Sequence, residues 1–271
     1  MVKIPFNGMK ESVLALTPSQ SVDNRSLVRG LEILRAFRPG IDLLTNSELA
    51  ERTGLPRSTI SRLTGTLVRC GFLQHDARVG GYRLHATVLG LAHAMRAGSL
   101  ILNESLEAMQ QVGRQLRVNI GLALADQDDM MYLDTLRFGP KASLRKVVSG
   151  QRVPIALTSL GRAYLSTHEG AELTALLARL EQRHARDWPQ IRQEIEQAIA
   201  DVRTTGFCIT SWQPQVVALS TPMVFKDHPV HVLNMSLFTE QSIDAVRDTL
   251  APALLRLRKT IMTRIESAHR S

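Results

Sequence analysis

The chain has 271 residues, 44% hydrophobic and 21% charged, a balance that supports a packed core and excludes a mainly disordered chain. No apolar run approaches the roughly 18 residues of a membrane-spanning helix, and the short apolar stretch at 13–16 is no secretory signal; a cytoplasmic location without a membrane partner is expected. The formal net charge is +8, unevenly spread: residues 1–98 hold 13 Lys and Arg against 7 Asp and Glu, an asymmetry that points to a polyanion, nucleic acid before anionic lipid.

In chain order, residues 1–22 are polar and aperiodic and read as a flexible arm. From Asn24 a helix is predicted, with Leu27, Leu31 and Leu34 at helical spacing and Pro39-Gly40 as its stop. Thr45-Asn-Ser-Glu48 is a capping box opening a short helix. Thr53-Gly54-Leu55 is a tight turn in which Gly54 can take positive φ. Pro56 suits the start of the next helix, which buries Ile60, Leu63 and Leu67 and stops at Cys70-Gly71. Two helices joined by so short a glycine-bearing turn describe a helix-turn-helix. Strands at 72–75 and 82–85 then flank a basic, glycine-bearing tip, a hairpin, and the whole is a winged helix-turn-helix over 23–85.

A helix is predicted from Thr87 to about Arg117, broken near Gly98-Ser99; its first part, 86–98, is a linker helix whose Leu89, Leu91, Ala92 and Met95 are candidates for a dimer contact. Strands are expected at 120–125, 130–136 and 143–148, helices at 159–166, 171–183 and 189–204, strands at 207–210, 216–224 and 230–237, and a closing helix from Thr239 towards Ile265. Residues 99–271 thus form an α+β domain, an antiparallel sheet with helices packed on it. Asn234 and Ser236 alternate within an apolar strand and share one face, either towards a ligand cavity or towards neighbouring strands.

Candidate chemistry is concentrated in the first domain. Arg57, Ser58, Ser61 and Arg62 lie opposite the apolar face of the second helix of the motif, whose start enters the major groove in such folds. Arginine holds a guanine edge bidentately, and serine and threonine serve base edges or phosphates; Thr45 and Thr59 are grouped with this set. Arg78 at the hairpin tip and Arg83 beside it are placed to reach an adjacent groove or the backbone. In the second domain no catalytic elbow, phosphate loop or dinucleotide motif is present. His228 and His231 alternate to opposite faces, which argues against a metal site, and Cys70 and Cys208 form no CxxC pair. No metal, cofactor or enzymatic activity is expected.

The run N-S-E-L-A-E-R-T-G-L-P-R-S-T-I-S-R-L-T-G-T-L-V-R-C-G-F-L, followed by G-G-Y-R-L, resembles the winged helix of IclR-type transcriptional regulators. Gly150-Gln-Arg-Val-Pro154, Ser159-Leu-Gly-Arg-Ala163, Gly206-Phe207 and Thr221-Pro222 resemble later signatures, so the likeness spans about residues 24–264. It implies a GAF-like effector-binding domain, a homo-oligomer (dimer or tetramer) on a near-palindromic double-stranded operator, and a small-molecule effector. The implied effector lining is Arg145, Val153, Ser159, Leu160, Thr210, Ser211, Trp212, Leu219, Asn234 and Ser236. An organic, carboxylic effector fits the arginine and the helix start at Ser159. The sequence departs from the family at Gly65, inside the recognition helix, and at Trp212-Gln213-Pro214-Gln215. Rival readings are an enzyme fused to a DNA-binding module and a structural DNA-binding protein without a ligand.

Overall fold

The computed structural model describes residues 24–139 and 147–268. The chain divides into two compact units, one running through Ala36 and Leu44–Arg83, the other Phe37–Leu43 and Leu84 onwards.

The smaller unit contains α1 (Arg25–Arg35), β1 (Leu44–Thr45), α2 (Asn46–Thr53), α3 (Arg57–Arg69), β2 (Leu73–Asp76) and β3 (Gly81–Leu84). Local chemistry sets each boundary. The Asn24 side chain caps α1 by accepting from Leu27 N–H at 3.2 Å. The capping box forms in full: Glu48 N–H donates to Thr45 Oγ1 at 3.3 Å, and Thr45 N–H to Glu48 Oε2 at 2.8 Å. Gly54 ends α2 at φ 69°, a conformation that only glycine adopts freely. Pro56 is the N-cap of α3, one position before the helix proper. Ile33, Leu44, Leu49, Ile60, Leu63 and Leu73 are buried together as the core of this three-helix unit. The strand order is β1-β3-β2. Two-residue β1 is an addition to the expected hairpin, for so short a strand carries no periodicity.

The larger unit begins with α4 (Thr87–Gly98) and α5 (Leu100–Leu116), then β4 (Asn119–Asp126), β5 (Asp129–Leu136) and β6 (Arg152–Pro154). It continues through α6 (Ser159–Leu165), α7 (Gly170–His184), α8 (Trp188–Thr205), β7 (Cys208–Gln213), β8 (Val216–Met223), β9 (His231–Phe238) and α9 (Ile243–Ala268). The sheet is antiparallel, in the order β6-β5-β4-β9-β8-β7. Alternation gives it two faces. Leu233 and Met235 on β9, with Val217 and Leu219 on β8, pack with α5 and α9; Val232 and Cys208 pack with α6, α7 and α8. Of the strand expected at 143–148, residues 143–146 lie outside the described residues and 147–148 are not strand; the sheet's outer strand is β6. The last helix starts at Ile243 rather than Thr239, because Thr239 N–H still pairs with Gln215 O at 2.8 Å and Ser242 Oγ accepts from Ala245 N–H. Among the described residues no helix is long and apolar enough to cross a membrane.

Candidate functional site

On the smaller unit, α3 presents an exposed face of Arg57, Ser58, Ser61 and Arg62, with Thr59 partly covered. Neither arginine has an ionic partner among the described residues. Ser61 Oγ accepts from Asn46 Nδ2 at 3.3 Å, which ties the start of α2 to this face. Thr45 differs: its hydroxyl both accepts from Glu48 N–H and donates to Glu48 Oε2 at 2.8 Å, so it is committed to the cap. At the wing, Arg78 and Arg83 both lie beside Asp76, at 3.6 and 3.7 Å. Arg78 nonetheless exposes 91% of its side chain.

The larger unit encloses a cavity of about 240 Å³ on the α6 side of its sheet. That is slightly below the range of roughly 300–1,000 Å³ of drug-sized sites, which sets the scale of any occupant. Strand pairing builds its floor in two rows. Asn119, Ser236 and Ala218 are register partners in the first; Thr135, Gly121 and Asn234 are partners in the second. Alternation turns all of them to one face, and every one except Gly121 lines the cavity. Asn234 is only 4% exposed, yet its amide has no hydrogen-bond partner among the described residues. The same is true of the hydroxyls of Tyr132, Thr135 and Ser236 and the side-chain amides of Gln151 and Gln213. Burial pushes the Tyr132 phenol above its ordinary pKa, so it stays protonated. Buried polar groups normally find partners; a cluster of open ones around a cavity is a preformed set of donors and acceptors.

Of the residues that the family likeness implied for the effector, Val153, Ser159, Leu160, Trp212, Asn234 and Ser236 line this cavity together. Arg145 lies outside the described residues. Leu219 is turned away: it is one residue from Ala218 on β8, so the pleat sends it into the α5 and α9 core, fully buried. Ser211 is exposed and donates to Gln213 O. Thr210 is on the cavity's face, opposite Ala218, but buried behind the wall, its hydroxyl without a partner. Ser159 Oγ is bonded to Ser220 Oγ at 2.8 Å, and the helix cap is Thr158, which accepts from Gly161 N–H. Most other contributors went unseen in the sequence, among them four polar or charged ones. Asn119, Tyr132 and Arg137 come from strands or strand ends identified only as such, and Gln213 is delivered by a bulge. Thr210 pairs with Ala218 but Gln213 with Val216, so β7 has one residue too many and both Trp212 and Gln213 reach the cavity.

The cavity wall is linked to α4. Arg96 donates from Nη1 to Leu133 O at 2.9 Å and from Nη2 to Asp134 Oδ2 at 2.6 Å. Asp134 Oδ1 accepts from Ser149 Oγ at 3.1 Å. Ser149 belongs to the loop whose Val147 and Gln151 line the cavity, and Gly150 and Gln151 pair with the Tyr132 backbone.

A winged helix-turn-helix followed by an α/β domain with a curled antiparallel sheet defines a class of DNA-binding transcriptional regulators. The chain belongs to the IclR family: residues 26–77 match the model of the IclR helix-turn-helix domain, and residues 96–261 that of the bacterial transcriptional regulator IclR C-terminal domain. A crystal structure of an IclR family regulator from Brucella abortus is 32% identical, with a TM-score of 0.80 over 94% of this chain and 95% of that one. The HTH-type transcriptional regulator TsaQ1/TsaQ2 of Comamonas testosteroni is 28% identical over 90% of this chain and 89% of its own. An IclR homolog from Microbacterium hydrocarbonoxydans, solved with 4-hydroxybenzoate, shares the fold at 19% identity, with a TM-score of 0.68 over 89% of this chain and 99% of that one. The family relatives are regulators, not enzymes.

Proposed function

We propose that the protein is a ligand-responsive regulator that binds a near-palindromic operator as a dimer and senses a small organic carboxylate in the cavity of its larger unit. The observation that carries the sensing role is Asn234: it is 4% exposed, lines the cavity and its amide has no hydrogen-bond partner among the described residues, so it offers an open donor and acceptor to a ligand. An enzyme is disfavoured by the candidate nucleophiles, for the Ser159 hydroxyl is spent on Ser220 and burial pushes the Cys208 thiol up to about 12, away from the reactive thiolate.

Arg57, Ser58, Ser61 and Arg62 read base edges, and Arg78 and Arg83 contact the backbone. Exposed Leu89, Leu91 and Met95 on α4 supply an apolar surface for a second copy, since two-fold operators mirror two-fold proteins. Effector binding acts on the operator only if it favours one arrangement of the dimer. A fivefold to 150-fold response takes about 1–3 kcal/mol of coupling.

The experiment is to select the operator from random duplexes, then measure its affinity with and without small acids that raise the melting temperature. Arg62→Ala is expected to weaken the operator by about 1–3 kcal/mol and relax one position, and Ser236→Leu to abolish the response to acids. An equal fractional loss on operator and random DNA would move Arg62 to the phosphate contacts. A response that survives Ser236→Leu would place the effector elsewhere.

A further inference from the structure

Resting on the reading of α3 as the helix that meets base edges, we propose that Asn46 sets what Ser61 recognises: it holds the Ser61 hydroxyl as a donor, so that the base opposite Ser61 must present an acceptor. A serine hydroxyl has one proton to give and two lone pairs. Left to rotate, it serves donor and acceptor bases alike. Ser58, one turn earlier on the same exposed face, is in that state, since its hydroxyl has no hydrogen-bond partner among the described residues. Ser61 is not.

The constraint comes from α2. Thr45 Oγ1 accepts from Glu48 N–H and donates to Glu48 Oε2, which completes the cap without Asn46. The Asn46 amide, at the first position of α2, is thereby left to reach α3, where Nδ2 donates to Ser61 Oγ at 3.3 Å. That is the amide's one hydrogen bond among the described residues, and Oδ1 is shielded without a partner. The reversed amide would shield two N–H donors in place of one acceptor, a larger loss, so the orientation with N–H towards Ser61 is favoured. Leu49 of α2 and Ile60 of α3, both fully buried, hold the two helices against each other.

An N–H aimed at Ser61 Oγ turns the hydroxyl proton away from Asn46. Elsewhere on α3 such a proton is spent on the helix: Thr64 Oγ1 donates to Ile60 O at 2.8 Å and Thr66 Oγ1 to Arg62 O at 3.1 Å. Ser61 makes no bond of that kind among the described residues and is exposed, so its proton is directed outwards. Guanine and thymine meet it in the major groove with acceptors only, whereas adenine and cytosine place an amino group at the same edge. Ser61 held as a donor therefore favours guanine or thymine.

The test selects half-sites from random duplexes with the full chain, then titrates single-base variants of the best site. Ser61→Ala identifies the position that Ser61 reads, where the preference for guanine or thymine is expected to fall by about two- to tenfold, the worth of one hydrogen bond. Asn46→Ala is expected to flatten the same position by a similar factor and to add nothing there in the Ser61→Ala background. Asn46→Asp carries acceptors only, so Ser61 must donate to it and face the base with its lone pairs. The preference at that position is then expected to move to adenine or cytosine, over a loss of affinity shared with random DNA. The proposal is overturned if both Asn46 variants keep the original preference there, if Asn46→Ala acts equally with and without the Ser61 hydroxyl, or if the unaltered chain prefers adenine or cytosine. In each of those cases base readout by Ser61 stands. If Ser61→Ala relaxes no position, that readout fails and the proposal with it, while Arg62→Ala reports on the rest of the face. The cycle with Asn46→Ala is decisive if Asn46→Asp does not fold.

Discussion

Gly65 is where helix stability and the proposed DNA contact would compete. It follows Ser58, Ser61 and Arg62 at helical spacing on α3 and is half-buried, and an added Cβ would meet only Arg69 Nη1, at 3.6 Å. The helix gains nothing from the glycine and loses about 1 kcal/mol relative to alanine. If α3 meets the operator as proposed, close approach of the duplex accounts for a cost without a structural return. Gly65→Ala is therefore expected to raise the unfolding free energy of the smaller unit by up to about 1 kcal/mol while weakening operator binding. Thermal melts and operator titrations read the two effects separately, and unchanged affinity would turn this part of α3 away from the DNA. Gly161 is the opposite case. A Cβ there would stand 2.1 Å from Ile155 O and 2.2 Å from Ile155 Cα, so this glycine is required by packing of α6 on the backbone before it.

The wing and the α4 link belong to the scale of elements. Asp76 holds both wing arginines loosely and leaves Arg78 open to a phosphate. Each phosphate contact adds about 0.9 to the slope of log affinity against log salt, so Arg78→Ala is expected to lower that slope by nearly one, and an unchanged slope would remove the wing tip from the interface. Asp134 touches α4 and the cavity loop but does not line the cavity. Asp134→Asn weakens the Arg96 contact, and effector affinity is expected to hold while the effector-induced change in operator affinity shrinks several-fold, a loss of about 1 kcal/mol of coupling. An unaltered ratio would exclude this path. The elements themselves were legible because each stop was written locally: Asn24, the Thr45–Glu48 box and Gly54 fix helix ends within a few residues. From the residues alone the cavity was legible only where a single strand sufficed, as for Asn234 and Ser236; Val153, Ser159, Leu160 and Trp212 came from the family likeness. Asn119 meets Ser236 across the sheet from far along the chain, and Gln213 enters through a bulge; no local period announces either. Leu219 shows the limit of transferring positions by likeness, since a step of one residue on a strand changes the face.

At the scale of the whole molecule, acid sensitivity follows from a buried histidine that takes no part in the cavity. His231 is 4% exposed on β9, its Nδ1–H donates to Pro229 O at 2.8 Å, and its ring meets Phe225 edge-on. Burial holds its pKa below the ordinary value, more strongly than the Pro229 bond opposes it, with His228 adding to the depression. The folded chain thus binds fewer protons at this position than the unfolded chain just below pH 6.5, and stability rises with pH wherever the unfolded state binds more. The contribution is complete above about pH 6.5, the unperturbed histidine value, and is lost as the pH falls towards the depressed one. A second loss begins lower, below the ordinary glutamate range, at Glu194. Burial opposes ionisation there, but hydrogen bonds from Arg162 and Gln190 outweigh it and lower its pKa. Both tryptophans, Trp188 and Trp212, lie in the larger unit, so tryptophan fluorescence during urea unfolding reports on the unit that holds His231. The expected result is a lower midpoint at pH 5.5 than at pH 7.5, with the difference reduced in His231→Gln, whose amide can still donate to Pro229 O but does not titrate. If the variant keeps the full difference between the two pH values, the acid sensitivity of this unit has its source in another group.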